Sequence, residues 1–213
     1  MRARRRQLLF GLVAAALATA GEARAGSVDE LLAQISAGRA ALRTLRARFR
    51  QTRIIGLLAT AVESRGELSL ALPGRLRWEL FPPDGVTYWV GPEGFAVATA
   101  SDVTTAPRSA GGRFGTVLAD LMVMLGGDLR ALGARYELKT KEQQAGLLVE
   151  ARPKPAELRR QLALLRVLVG AKQGAVQRIE IEEPGGDRSV IVFDSWQPNG
   201  KIDPAAMRPP ARR

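Results

Sequence analysis

From Val28 to Phe49 the apolar positions Val28, Leu31, Leu32, Ile35, Leu42, Leu45 and Phe49 recur at helical spacing, and Ser27 with Glu30 three residues later reads as a capping box. The pattern predicts one amphipathic helix over that stretch. The period then changes. Glu67 and Ser69 alternate with Leu68, Leu70 and Leu72, and beyond the Pro73-Gly74 turn Arg75, Arg77 and Glu79 alternate with Leu76, Trp78 and Leu80. Alternation of this kind predicts two half-buried antiparallel strands joined by a tight turn. Val86 to Val90 and Phe95 to Thr99, separated by turns at Pro82-Pro83-Asp84-Gly85 and Gly91-Pro92-Glu93-Gly94, extend the pair into a meander.

Thr104 to Gly112 is rich in Thr, Ser, Ala and Gly and reads as a mobile loop. Helical periodicity returns with Phe114, Val117, Leu118, Leu121, Met122 and Leu125, while Val123 and Met124 add apolar surface off that stripe. A helix greasy on more than one face is buried in a core or touches something besides its own sheet. Five more extended runs follow: Arg135 to Thr140, Gly146 to Arg152, Leu162 to Val169, Val176 to Glu182 and Ser189 to Trp196, with a short polar turn at Ala156 to Gln161. Strands at hairpin spacing with no helices between them exclude a doubly wound parallel sheet. The expected fold is α+β: a strongly curved antiparallel sheet, an incomplete β-barrel, with helices covering its concave face. If the helices only partly fill that face, the space between is a pocket for an apolar ligand.

Composition narrows the chemistry. The 213 residues contain no Cys and no His, which removes disulfides, thiolate nucleophiles, the commonest metal ligand and the usual general base. The adjacent acids Glu182-Glu183 and Asp29-Glu30 sit in charged contexts that suit solvated faces. No catalytic residue, metal site or cofactor is expected, and the chain is not read as an enzyme. Arg2, Arg4, Arg5 and Arg6 precede an apolar run from Leu8 to Ala20 and then Ala23-Arg24-Ala25, the order of a cleavable signal peptide over residues 1–25. Both the general secretory and the twin-arginine routes fit that segment. Without it, the formal charge falls from +11 to +7 by loss of five Arg and one Glu, and residues 26–207 suffice for one domain, followed by a basic disordered tail at 208–213. Export argues against a nucleic-acid partner despite the positive charge.

The order of features resembles the LolA-type periplasmic lipoprotein carriers. Phe49 and Gln51, Gly66-Glu67-Leu68, Pro73-Gly74-Arg75-Leu76-Arg77-Trp78-Glu79, Pro82-Pro83 and Gly94-Phe95 carry the resemblance in the N-terminal half. Leu148-Val149-Glu150-Ala151-Arg152-Pro153, Ile179-Glu180-Ile181 and Asn199-Gly200-Lys201-Ile202-Asp203-Pro204 carry it in the C-terminal half. The resemblance implies a periplasmic monomer that holds acyl chains of a lipoprotein in a hydrophobic cavity between an inner-membrane donor complex and an outer-membrane acceptor. It places Leu68, Leu70, Trp78, Leu80 and Trp89 on the sheet, with Leu118, Leu121, Met122 and Leu125 on the helix, as lipid-binding candidates, although each also fits an ordinary core and Trp78 also fits an outward-facing edge. Two departures stand out: Leu72 occupies the place of the family's functional arginine before the first proline, and the chain ends in a basic tail where carriers continue into another strand. A carrier of non-protein lipids, such as a glycolipid or polyene product, and an RseB-type lipid- or peptide-sensing module are the alternatives.

Overall fold

The computed structural model describes residues 28–56, 60–106, 112–170 and 174–210; the expected signal peptide over residues 1–25, Ser27 and the side chains of Phe114 and Val117 lie outside the described set. Helix α1 spans Val28–Gly38 and is followed by β1 (Thr44–Ile55), β2 (Thr60–Ala71), β3 (Arg75–Leu80), β4 (Val86–Gly91), β5 (Gly94–Ala98) and β6 (Val103–Ala106). Helix α2 (Gly112–Gly126) and a 3-10 turn (Leu129–Ala134) lead to β7 (Tyr136–Gln143) and β8 (Gly146–Pro153). A short α3 (Ala156–Arg159) precedes β9 (Leu164–Gly170), β10 (Val176–Glu182), β11 (Arg188–Phe193) and β12 (Gln197–Pro198).

All twelve strands form one antiparallel sheet in the order β6-β5-β4-β3-β2-β1-β11-β10-β9-β8-β7, with β12 paired to the start of β1 beside β11. The terminal strands β6 and β7 do not pair with each other, so the sheet is not closed into a barrel. Its curl follows from one helical turn. Leu121 of α2 lines a hollow with Trp78 of β3, while the neighbouring Asp120 accepts a hydrogen bond from the Tyr136 hydroxyl at the start of β7. Those strands are seven steps apart, about 34 Å in a flat sheet at about 4.8 Å per step, against a helix only about 10–12 Å across. Only a sheet that wraps toward α2 brings both within reach.

Three elements differ from the sequence expectation. The first helix stops at Gly38, and residues through Phe49 belong to β1. The reason is visible in the residues: Leu45, Ala47 and Phe49 are buried while Arg48 and Arg50 are exposed, a period of two that a helical reading of the apolar positions alone absorbs. The first half of β2 is exposed and polar around Glu63-Ser64-Arg65, so no apolar alternation announces it. The Thr-rich stretch at Val103–Ala106, expected as loop, pairs with β5 as an edge strand. Strands β1, β6 and β12 raise the nine expected to twelve among the described residues.

The alternation separates two surfaces. One carries Leu45, Ala47 and Phe49 of β1 opposite Leu70, Leu68 and Gly66 of β2, and continues through Trp78, Ile191, Ile179, Val167 and Val149 across the sheet. The other carries ion pairs between neighbouring strands: Arg46 and Arg48 with Glu67, Arg50 with Asp194, and Arg166 with Glu150, Glu180 and Glu182. The greasy face and α2 share a single hydrophobic cluster.

Candidate functional site

Gly66 sets the geometry at the centre of the apolar face. A side-chain carbon there would come within 2.0 Å of the Glu79 carbonyl oxygen and 2.5 Å of the Phe49 ring, so only glycine lets that ring lie across β2. Phe49 thereby reaches Trp78, with ring centroids 4.2 Å apart, and Phe193 packs edge-on at 6.3 Å.

Beyond this aromatic cluster the packing opens. A hollow of about 250 Å³ lies between α2 and the sheet, with walls from Trp78, Leu118, Leu121, Ile181 and Ile191. Its rim is polar: Gln51 and Arg53 of β1, Gln161 after α3, Glu183 after β10 and Ser189 of β11. At about 30 Å³ per water-sized group it has room for about eight methylenes, one short apolar segment.

Of the lipid-binding candidates, Trp78, Leu118 and Leu121 line this hollow together. Leu68, Leu70, Met122 and Leu125 lie on the same cluster but are packed solid, at 0%, 0%, 7% and 0% exposure, and Leu80 is half-buried against it. Trp89 is on the opposite face. It pairs in register with Arg77 and Ala96, not with the Trp78 row, and its indole N–H donates to the Ala206 carbonyl at 3.0 Å. There it lines a separate hollow of about 340 Å³ with Met207 and Pro209, so the described part of the C-terminal segment, including Arg208 in a turn bonded to Ala205, is laid against the sheet. Sequence reasoning missed Ile181, Ile191 and the rim. The alternation of Ile179 with Ile181 and of Ile191 with Phe193 marks their face, but only the β1–β11 pairing brings Ile191 beside Gln51.

Polar ties hold α2 in place. Asp120, 4% exposed, accepts from the Tyr136 hydroxyl and, at 2.6 Å, from Arg135. Burial raises the Asp120 carboxyl above its ordinary pKa, opposed by the Tyr136 bond and the Arg135 charge, and burial beside Asp120 also pushes the Tyr136 hydroxyl up. At the other end of α2, Gly126 sits so close to the sheet that an added side-chain carbon would meet Leu70 at 2.7 Å and Leu72 at 3.1 Å. Leu72 thus makes an apolar contact where the family resemblance points to an arginine.

An arginine does bind the helix end, from a different element. Arg39, just past α1 and 4% exposed, donates to the Met124 carbonyl at 2.5 Å and twice to the Gly174 carbonyl at 2.9 and 2.7 Å. Burial draws its pKa down to about 10, so it remains charged at neutral pH. Its positive charge lies at the negative end of the α2 dipole. Ser36 of α1 adds a bond to Asp128 at 2.9 Å, and Arg130 holds that carboxyl down at about 2. Among the described residues no group of three or more metal-ligating side chains converges, and no helix is long and apolar enough to cross a membrane.

A family model described as "Outer membrane lipoprotein carrier protein LolA" matches residues 40–208. A protein of Chromobacterium violaceum named outer-membrane lipoprotein carrier protein is 27% identical, over 95% of this chain and 94% of that protein. One of the same name from Azotobacter vinelandii is 28% identical over 94% of this chain and 91% of its own length. Among solved structures, a DUF1329 family protein from Desulfovibrio piger superposes with a TM-score of 0.53 at 10% identity, covering 84% of this chain and 95% of that one, a likeness of fold.

Proposed function

This chain belongs to the LolA family of outer membrane lipoprotein carriers, and from that premise we propose that it is a periplasmic carrier which takes an acyl chain into the hollow between α2 and the sheet and uses α2 as a movable cover. The observation that supports this reading most directly is the hollow itself: Trp78, Ile181 and Ile191 on one side and Leu118 and Leu121 on the other leave about 250 Å³ unfilled beside a polar rim. A space lined this way favours hydrocarbon over water.

Size decides how the site must work. Eight buried methylenes at about 0.8 kcal/mol each give about 6 kcal/mol of transfer free energy. Association costs at least about 4 kcal/mol, so a chain confined to this space binds weakly. Tight but reversible loading needs α2 to move off the sheet, exchanging its own contacts for lipid contacts between two states of similar free energy. Leu118 and Leu121, which face the hollow, are the side chains that lipid would replace. Handing cargo from an inner-membrane donor to an outer-membrane acceptor is the corresponding cycle. Leu72 supports a second reading, in which the cargo is a free lipid: the arginine associated with lipoprotein carriers is replaced here by an apolar contact to Gly126.

The test is to fill the hollow from its floor. Ile191→Trp should leave the far-ultraviolet dichroism unchanged and weaken binding of a fluorescent acyl probe at least about tenfold, close to 1.4 kcal/mol. Normal probe binding by this folded variant would refute the site. Native mass spectrometry of protein taken from the periplasm separates the cargo readings, since an acylated protein selects the first and a free lipid the second.

A further inference from the structure

Ile54 at 37% and Val62 at 42% are the exposed large hydrophobic residues among those described, and both stand near the turn of the β1–β2 hairpin. The ladder fixes where they point. Val62 is opposite Arg53, which lines the hollow, so it belongs to the inner face together with Ile55. Ile54 is opposite Ala61, and both lie on the outer face with Arg46, Arg48 and Arg50. No charged residue occurs in the sequence between Arg53 and Glu63. Toward that end β2 also outruns its neighbour: the β3 ladder stops where Gly66 meets Leu80, and Thr60 to Ser64 lie beyond it. A protein partner seated on a sheet covers one face. Apolar side chains on both faces gain only from a medium that closes around the ribbon, and the interfacial zone of a bilayer does so, with flanking polar groups left at headgroup level.

We propose that the end of the β1–β2 hairpin, through Ile54, Ile55, Ala61 and Val62, docks the molecule on the surface of an anionic phospholipid bilayer. Charge supports the anionic surface, because the chain carries +11, or +7 without residues 1–25. Below the apolar end, Arg50 and Arg65 stand directly opposite each other, a like-charge pair that costs stability in a sheet. Asp194 bonds Arg50 at 2.9 Å, whereas the exposed Arg65 makes no ion pair among the described residues and can reach a lipid phosphate. Glu63 is exposed beside it, so the local charge is close to balanced. The apolar contact, rather than charge, therefore decides which part of the chain touches the surface. Docked in this way the molecule presents its hollow to the lipid, since Arg53 on the rim is one interstrand step, about 4.8 Å, from Val62.

The chain has no cysteine, so one introduced thiol carries one label. Protein purified after export, free of its expected signal peptide, is labelled with an environment-sensitive fluorophore at Val62→Cys or at Gln144→Cys, the latter in the β7–β8 turn at the opposite end of the sheet. Vesicles of phosphatidylethanolamine and phosphatidylglycerol should shift the emission at Val62→Cys to the blue and leave Gln144→Cys unchanged. Co-sedimentation with the same vesicles at about 0.15 M salt gives the affinity. Ile54→Asp/Val62→Asp should weaken it at least about tenfold, while Gln143→Asp/Gln144→Asp, the same change of charge elsewhere, should stay within about twofold of the native chain. Equal losses in the two pairs would show adsorption by charge alone and overturn the proposal. So would a native chain that stays in the supernatant, or an unshifted label at Val62→Cys. Vesicle binding is read without acyl cargo, so its failure leaves the carrier reading standing.

Discussion

Replacing Arg39 with Met keeps an unbranched stem in the same channel and removes only the charge and its donors. The native guanidinium makes three hydrogen bonds to two carbonyls, those of Met124 and Gly174. At about 1.5–3 kcal/mol for a charge-assisted bond, the low end sums to about 4.5 kcal/mol. Against this stands the cost of burying the cation. A pKa drawn from 12.5 to about 10 corresponds to roughly 3 kcal/mol at 1.36 kcal/mol per unit. The difference, about 1 kcal/mol, is joined by about 1 kcal/mol or more for leaving the buried Met124 carbonyl without a donor. Arg39→Met should therefore destabilise the fold by about 2 kcal/mol, a fall of about 4–8 °C in Tm for a domain of this size. Arg39→Lys, which supplies a point charge but no fork, should fall between the two. Thermal melts followed by circular dichroism read the effect directly. A melting temperature for Arg39→Met equal to or above that of the native chain would show that desolvation outweighs the carbonyl bonds, and the reasoning would fail. The same variant frees α1 from the end of α2, so it should also take up an acyl probe faster in stopped-flow mixing.

Gly66→Ala should cost at least about 3 kcal/mol, because the new carbon meets a backbone carbonyl as well as the Phe49 ring; adding Phe49→Leu should restore little of the loss, as urea denaturation of the three proteins would show. Asp120 gives a pH signature: its pKa is raised in the folded state, so the folded chain binds the proton more readily than the unfolded one, and the native protein should gain stability relative to Asp120→Asn as pH falls from neutral toward 4, with the gain fading as pH rises through the elevated pKa. A constant difference in Tm between the two across that range would contradict the assignment.

How much of this was legible in the sequence depended on whether one face of an element was apolar. The β2–β3 hairpin and the strands β7 to β11 announce themselves through alternation around turn residues, and α2 through its stripe. Strand β1 hides because Leu42, Leu45 and Phe49 fit a helical period when the arginines between them are ignored, and β6 hides because a Thr-rich edge strand has little to bury. The site was half legible for a related reason. Trp78, Leu118 and Leu121 stand out as large apolar residues, whereas Gln51, Gln161 and Ser189 come to one rim only because β1 lies beside β11 and α3 ends near both. Trp89 is the converse case. Its composition suggests a lipid contact, but its position one residue after Tyr88 turns it toward the C-terminal segment.

The two margins of the sheet, β6 and β7, are never joined. A closed barrel has its bore dictated by strand number and shear, so its capacity is settled once the hydrogen-bond ladder is complete. Here no ladder crosses the gap, and the circumference can change by coiling and twisting without breaking a single interstrand pair. If the chain holds an acyl group as proposed, capacity is an elastic property of the wall, and the length of hydrocarbon held is not tied to the count of strands that surround it.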